Sequence, residues 1–209
     1  MTSGSIIEFG RQLAPAFVTT LWLSGVSLLI CTGASLLIAV GLLARVRPMI
    51  GLVDVLINVP LVIKLFVCFY LLRVEPQWCA VIGLVLHQSG FAASILYGGL
   101  KEVPSELEEA ALTSGLSPLH TFVLISLPAA LRMVAPALVL QAAEIVKNSS
   151  VASLIGIVDL TASVEAYQNR TFAYTQGFLG AAIGYAILTL PLMGLGAFWE
   201  RRLAKGSSA

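Results

Sequence analysis

The residues able to do chemistry in this chain are few, and they sit where charge is costly. Lys64 lies about twelve residues into a long apolar run, too deep for its ammonium to reach water easily. Pro60, four residues earlier, has no N–H and leaves the carbonyl of Leu56 without its helical donor, so a polar site stands beside that ammonium. Glu144 and Lys147 stand one turn apart near the end of another apolar run and can pair on one helix face. Gln141, one turn before Glu144, extends the same polar stripe. The chemistry this suits is the handling of a small zwitterion, with its ammonium on Glu144 and its carboxylate on Lys147, and with Lys64 lining the pathway as a second carboxylate partner. Each charge has a plainer use. Lys64 can form a structural ion pair with Asp54 or Glu144, and the Glu144–Lys147 pair can simply finish a helix at the membrane surface.

Other chemistries are poorly served. His87 and Ser89 offer a base and a hydroxyl, but two residues apart on a helix they point to different faces, so with Gln88 they read as polar contacts between helices. A phosphate-cradling loop needs Gly-x4-Gly-Lys-Ser/Thr, and none of Lys64, Lys101, Lys147 and Lys205 follows a glycine. Cys31, Cys68 and Cys79 lie in or beside apolar runs and read as small buried hydrophobes, not as a disulfide set or metal site. The formal charge of +1 points to no nucleic-acid partner.

These residues must be positioned by membrane helices. With 58% hydrophobic and 11% charged residues and a mean hydropathy of +0.94, the chain is too apolar for a soluble globule. Five apolar runs, at about 16–44, 52–72, 78–98, 127–146 and 176–199, predict an all-α integral membrane protein, with 1–209 as a single transmembrane domain. The stretch Met1 to Gln12 lacks the basic start and small-residue cleavage site of a signal peptide, so the first run is expected to remain as a helix. Arg45, Arg47, Lys101, Arg201, Arg202 and Lys205 fall on one side if the N-terminus is outside. Arg11, Arg73 and Arg170 fall on the other side and are partly offset by Glu8, Glu75, Asp159 and Glu165. The basic side is cytoplasmic, so the topology is N-out, C-in. Arg132, near the cytoplasmic end of the fourth run, is expected to snorkel or to pin the loop beside it. In the fifth run Gly177, the pair Gly180 and Gly184, and the Gly194-Leu195-Gly196 run offer close helix approach.

The cytoplasmic segment 101–126 has the pattern of a helical hairpin. Pro104 stops the preceding helix, Ser105 and Glu108 have the spacing of a capping box, and Glu106, Glu108 and Glu109 suit the positive end of the helix dipole. Leu107, Ala110, Ala111 and Ser114 give one narrow face of mostly small side chains. Gly115 supplies a left-handed turn, Ser117 and Pro118 start a second helix striped by Leu119, Phe122, Val123 and Ser126, and Pro128 is expected to end or kink it. A capped hairpin between two spans offers a folded element to a soluble partner.

The run Glu109-Ala110-Ala111, three residues, Gly115, nine residues, Ile125, one residue, Leu127-Pro128 resembles the coupling loop of permease subunits in bacterial ATP-binding-cassette importers, with every fixed position filled. The resemblance covers most of the chain and is nearest to permeases of the polar amino acid uptake type. It is carried by Thr20-Leu21-Trp22-Leu23-Ser24, Pro60-Leu61-Val62-Ile63-Lys64-Leu65-Phe66, Ser89-Gly90, Gly98-Gly99 and the stretch from Lys147 to Ser153 with Gly156, Leu160-Thr161 and Thr171-Phe172. It implies that the hairpin docks in a groove of an ATPase subunit, with Glu109 in polar contacts, Ala110 and Ala111 permitting close approach and Gly115 making the turn. It further implies a bacterial inner-membrane location, a second copy or a homologous permease across a pseudo-two-fold axis, and a periplasmic or extracellular solute-binding protein. No cofactor is expected on this chain, since ATP and Mg belong to the partner ATPase. Departures from the group's pattern fall at Ile57-Asn58-Val59, Ser94, Tyr97 and Asn148, and in the charges of Lys64 and Glu144, so they bear on which solute is carried. A secondary transporter or channel subunit, driven by an ion gradient, and a non-transporting assembly subunit are the alternative functions.

Overall fold

The structure is a computed structural model that describes residues 3–206. The expected domain limits 1 and 209 therefore lie outside the described residues. Helix α1 spans Ser3–Leu43, α2 Arg47–Asn58, α3 Leu61–Leu72, α4 Pro76–Lys101, α5 Ser105–Thr113, α6 Pro118–Thr121, α7 Leu127–Asn148, α8 Leu160–Thr171 and α9 Tyr174–Gly206. Among the described residues, four helical segments are long and apolar enough to cross a bilayer, and the bent pair α2–α3 makes a fifth crossing.

Contacts at the two ends of α1 fix the direction of α4. Leu23 packs with Cys79, Ala80 and Val81, while Ala39 packs with Leu96 and Leu100. The two helices are therefore parallel, and the chain between them must return across the membrane. It does so through α2 and α3, but not as one kinked span over 52–72. The two helices meet at 102°. Val59, forced from helical geometry by the following proline, is extended at φ −77° and ψ 125°, and Pro60 follows at φ −57° and ψ 144°. Two consecutive non-helical residues turn a kink into a break.

Helix α4 is the centre of the bundle because its glycines let neighbours reach its backbone. A Cβ on Gly83 would stand 3.3 Å from Leu65 Cα, one on Gly90 would stand 2.8 Å from Leu56 Cβ, and one on Gly99 would collide with a Val134 methyl. Glycines thus seat α3, α2 and α7 on one helix. Helix α7 runs antiparallel to α4, and α9 antiparallel to α7, with Gly196 against the Pro136 carbonyl. Gly184 and Gly177 face Leu160 and Gln168 of α8 instead. Cys31, Cys68 and Cys79 are all core residues, and the Cys79 thiol approaches the Cys68 and Val74 carbonyls at 3.7 and 3.6 Å.

On the side away from the hairpin, buried Asp159 ties three elements together. Its carboxylate caps α8 by accepting from the Ala162 N–H at 2.9 Å and from the Tyr185 hydroxyl of α9 at 3.4 Å, while Leu160 N–H donates to Thr20 of α1 at 3.1 Å. Burial pushes the Asp159 carboxyl up from 3.8 to about 6, outweighing the hydrogen bonds that favour its ionised form. The folded state therefore holds this proton more tightly than the unfolded chain. Its stabilising effect is complete below pH 3.8 and is lost as pH rises to about 6. The unfolding midpoint should fall across that window, and Asp159→Asn, which keeps the cap, should flatten the dependence in a detergent thermal melt. The Gly90 contact predicts that Gly90→Val destabilises the chain by about 1–3 kcal/mol. Gly98→Ala, where the added carbon meets nothing within 4 Å, should shift the same melt little.

Candidate functional site

The break in the second span organises the first polar centre. Lys64, 7% exposed, sits in the first turn of α3, and its ammonium donates to the Leu56 carbonyl that Pro60 leaves bare. Its other neighbour is His87 Nδ1 of α4 at 3.2 Å. Neither Asp54 nor Glu144 pairs with it, so the structural ion pair is replaced by a carbonyl and an imidazole.

The next residue of α4 reaches the opposite way. Gln88, 1% exposed, accepts at 2.5 Å from the amide of Gln141 on α7, and its own Nε2 is buried without a partner. One turn further along α7, Lys147 donates to Glu144, and both side chains remain about half exposed. The four candidate path residues thus fall in three successive polar contacts on α3, α4 and α7, not in one cavity. Gln141 alone among them lines the partly open cavity of about 150 Å³ between α1, α4 and α7. His87 as the partner of Lys64 has no local signature, because the two are 23 residues apart.

The second centre is the hairpin. Gly115 takes φ 91°, and the turn closes with Gly115 N–H on the Leu112 carbonyl and Leu116 N–H on the Ala111 carbonyl. The capping box is not formed. Pro104 occupies the cap position, Ser105 lies inside the helix, and Glu108 instead accepts from the Ser126 hydroxyl at 2.6 Å. Ser117 does cap α6, through His120 N–H at 3.4 Å. Pro128 does not end the helix. A π-helical turn over Phe122–Ser126, with Leu127 N–H bonded to the Phe122 carbonyl, widens the helix ahead of the proline, and the chain runs on into α7.

Of the proposed docking residues, Glu109, Ala110 and Gly115 are exposed, but Ala111 is 7% exposed. Ala111 thus does not lie on the free face as expected: its small side chain lets α5 settle on this chain's own hairpin, which leaves Glu109, Ala110, Leu107 and Leu112 exposed. The predicted stripe of the second helix is likewise divided, with Phe122 and Ser126 turned inward and Leu119 and Val123 outward. Arg132 is exposed and has no ion-pair partner among the described residues; the hairpin is tied to the start of α7 by the Ser126–Glu108 bond instead.

A helical membrane subunit with polar contacts between its spans and an exposed hairpin on one side has the architecture of a multi-pass membrane component. The sequence pattern described as "binding-protein-dependent transport system inner membrane component" matches residues 32–205, and the chain belongs to that family. It is similar to the nopaline transport system permease of Agrobacterium fabrum, at 30% identity over 88% of this chain and 84% of the relative. It is also similar to a probable glutamine ABC transporter permease of Bacillus subtilis, at 28% identity over 73% of each chain. Its fold resembles a chain of an amino acid ABC transporter crystallised with histidines, with TM-score 0.83, 23% identity, and coverage of 97% of this chain and 99% of the other. The chain is accordingly a multi-pass permease subunit of an ATP-binding-cassette importer, and ATP hydrolysis lies on a separate subunit.

The Ser126–Glu108 bond is a charge-assisted link across the hairpin, so Ser126→Ala should loosen α5 by about 1.5 kcal/mol. The expected readout is roughly tenfold faster amide exchange in α5, with exchange in α4 unchanged.

Proposed function

We propose that this subunit imports a polar amino acid or a related small zwitterion, delivered by a solute-binding protein at the outer face of a bacterial inner membrane. The observation that carries this reading is the half-exposed Glu144–Lys147 pair, which presents opposite charges one turn apart on α7. A solute with an ammonium and a carboxylate can exchange for such a pair and leave neither charge unpaired. Helices α4 and α9 flank α7, and Glu144 shares the face between them with exposed Met133 and Leu140. That face is assigned to the second copy or homologous permease, so the path runs at the subunit interface. Gln141 continues the path inward through Gln88. Lys64 supplies positive charge at the bend, within reach of a solute carboxylate once its hold on Leu56 relaxes. Support for the solute class comes from relatives whose names include nopaline, glutamine and arginine transport.

In the same reading the exposed Glu109, Ala110 and Gly115 surface docks on the ATPase, while Ala111 supports it from behind. ATP and Mg act on that partner, and this chain carries no cofactor. In the reconstituted complex, amino acids should stimulate ATP hydrolysis. Lys147→Gln and Glu144→Gln should each lower that stimulation about tenfold, the loss of one charge-assisted contact. Lys64→Met should abolish uptake, and Lys64→Arg, which keeps a donor for the Leu56 carbonyl, should still co-purify with the other subunits. Unchanged uptake in Lys147→Gln, Glu144→Gln and Lys64→Met overturns the path, and failure of any ATPase subunit to co-purify with the wild type overturns the coupling surface.

A further inference from the structure

Helix α7 has a second free face, opposite the one carrying Glu144. Leu131, Arg132, Ala135, Leu138, Val139 and Ala142 recur at helical spacing along it and, with Leu28 and Thr32 of α1 and Leu195 and Trp199 of α9, line an open groove of about 480 Å³. Glu144 lies nine residues beyond Ala135, which at about 100° per residue places it about 180° away. The groove therefore faces away from Glu144 and the proposed subunit interface, and it adjoins the cavity that Gln141 lines through shared Leu131, Leu138 and Ala142.

Its length and charge suit one kind of occupant. From Arg132 to Ala142 the helix rises about 15 Å, half of the roughly 30 Å hydrocarbon core, so the groove spans a single leaflet. The leaflet is the cytoplasmic one, since Gly99, two residues before the end of α4, packs on Val134. The groove walls are apolar except at Thr32 and at this end, where the exposed Arg132 guanidinium has no ion-pair partner among the described residues. Arg201 and Arg202 follow Trp199 on α9 and add positive charge on the same side. Basic sites between helices at a cytoplasmic boundary attract anionic headgroups, and an indole at that level anchors at the interface. We infer that this groove binds an anionic phospholipid of the cytoplasmic leaflet, with an acyl chain against Ala135 and Ala142 and its phosphate on Arg132.

The chain contains three tryptophans, and Trp22 and Trp78 pair with each other at 5.7 Å near the outer end. A Trp22→Phe, Trp78→Phe background thus leaves Trp199 to report on the groove. The full chain is reconstituted in phosphatidylcholine vesicles that contain acyl-brominated phosphatidylglycerol or, at the same mole fraction, acyl-brominated phosphatidylcholine. Brominated phosphatidylglycerol should act on Trp199 as if enriched about fivefold near the groove, the scale of one basic residue acting on an anionic lipid. Arg132→Gln should abolish the preference, Arg132→Lys should largely keep it, and Ala135→Phe should reduce quenching by both lipids. Retention of bound phosphatidylglycerol by the chain with all its tryptophans, read by native mass spectrometry, should likewise fall in Arg132→Gln. Equal quenching by the two lipids, a preference that survives Arg132→Gln, or a Trp199 shielded from both lipids because a second protein chain covers it would each overturn the assignment.

Discussion

The bond from the Lys64 ammonium to the Leu56 carbonyl is the constraint on which the rest of the bundle depends. Inside a bilayer each unpaired backbone group costs several kcal/mol, so a span can be broken only where the freed groups find partners. Most groups at this break find them locally. The Val55 carbonyl accepts from Val59 N–H and the Pro60 carbonyl from Ile63 and Lys64 N–H. The Asn58 side chain turns back to the Asp54 carbonyl. The Leu56 carbonyl, whose usual donor would be the nitrogen of Pro60, is satisfied by the lysine eight residues on. The same bond gives a buried ammonium a partner. Two groups that would each be costly alone make the 102° turn between α2 and α3 sustainable.

That turn has consequences for α4. It brings both halves of the broken span onto one helix, with Leu56 against Gly90 and Leu65 against Gly83. Larger residues at these glycines would push α2 and α3 outward and carry Lys64 away from His87. With the backbones close, two consecutive residues of α4 reach different neighbours, His87 toward α3 and Gln88 toward α7. The angular step of about 100° between adjacent helical residues makes this possible. It also explains why the polar contacts cross the bundle instead of running along one helix.

Much of this was legible in the sequence, and the limits have physical causes. Apolar run lengths and the placement of arginines give the number of crossings and their direction, because both follow from bilayer thickness and local charge. Gly115 and Ser117 were readable for the same kind of reason, since a left-handed turn and a helix cap are set by neighbouring residues alone. The break at Val59-Pro60 was legible as a perturbation but not as a right-angled turn, because the angle depends on what α3 packs against. The capping box failed because Glu108 had a better partner in Ser126, which is 18 residues away in the chain. Ala111 faced inward for a similar reason. A small side chain signals close approach, and only the folded hairpin reveals from which side.

The hairpin and the polar contacts are joined by one continuous piece of helix. From Pro118 to Ile155 the chain is helical without interruption, 38 residues that pass through a π turn, α7 and a closing 3₁₀ stretch. At its cytoplasmic end it is bonded to α5 through Ser126, and further along it carries Gln141, Glu144 and Lys147. In the proposed reading a push on α5 is passed to a continuous helix, which carries a π turn and Pro136, instead of to a loop. Close contact between Gly99 and Val134 holds that helix against α4 near its base, so displacement of the hairpin must tilt or rotate α7 about that point. Such a motion changes the distance between Gln141 and Gln88 and swings the Glu144–Lys147 pair relative to whatever lies opposite. The π turn is what permits this arrangement. It accommodates Pro128 within the continuous helix, with Leu127 N–H bonded to the Phe122 carbonyl five residues back.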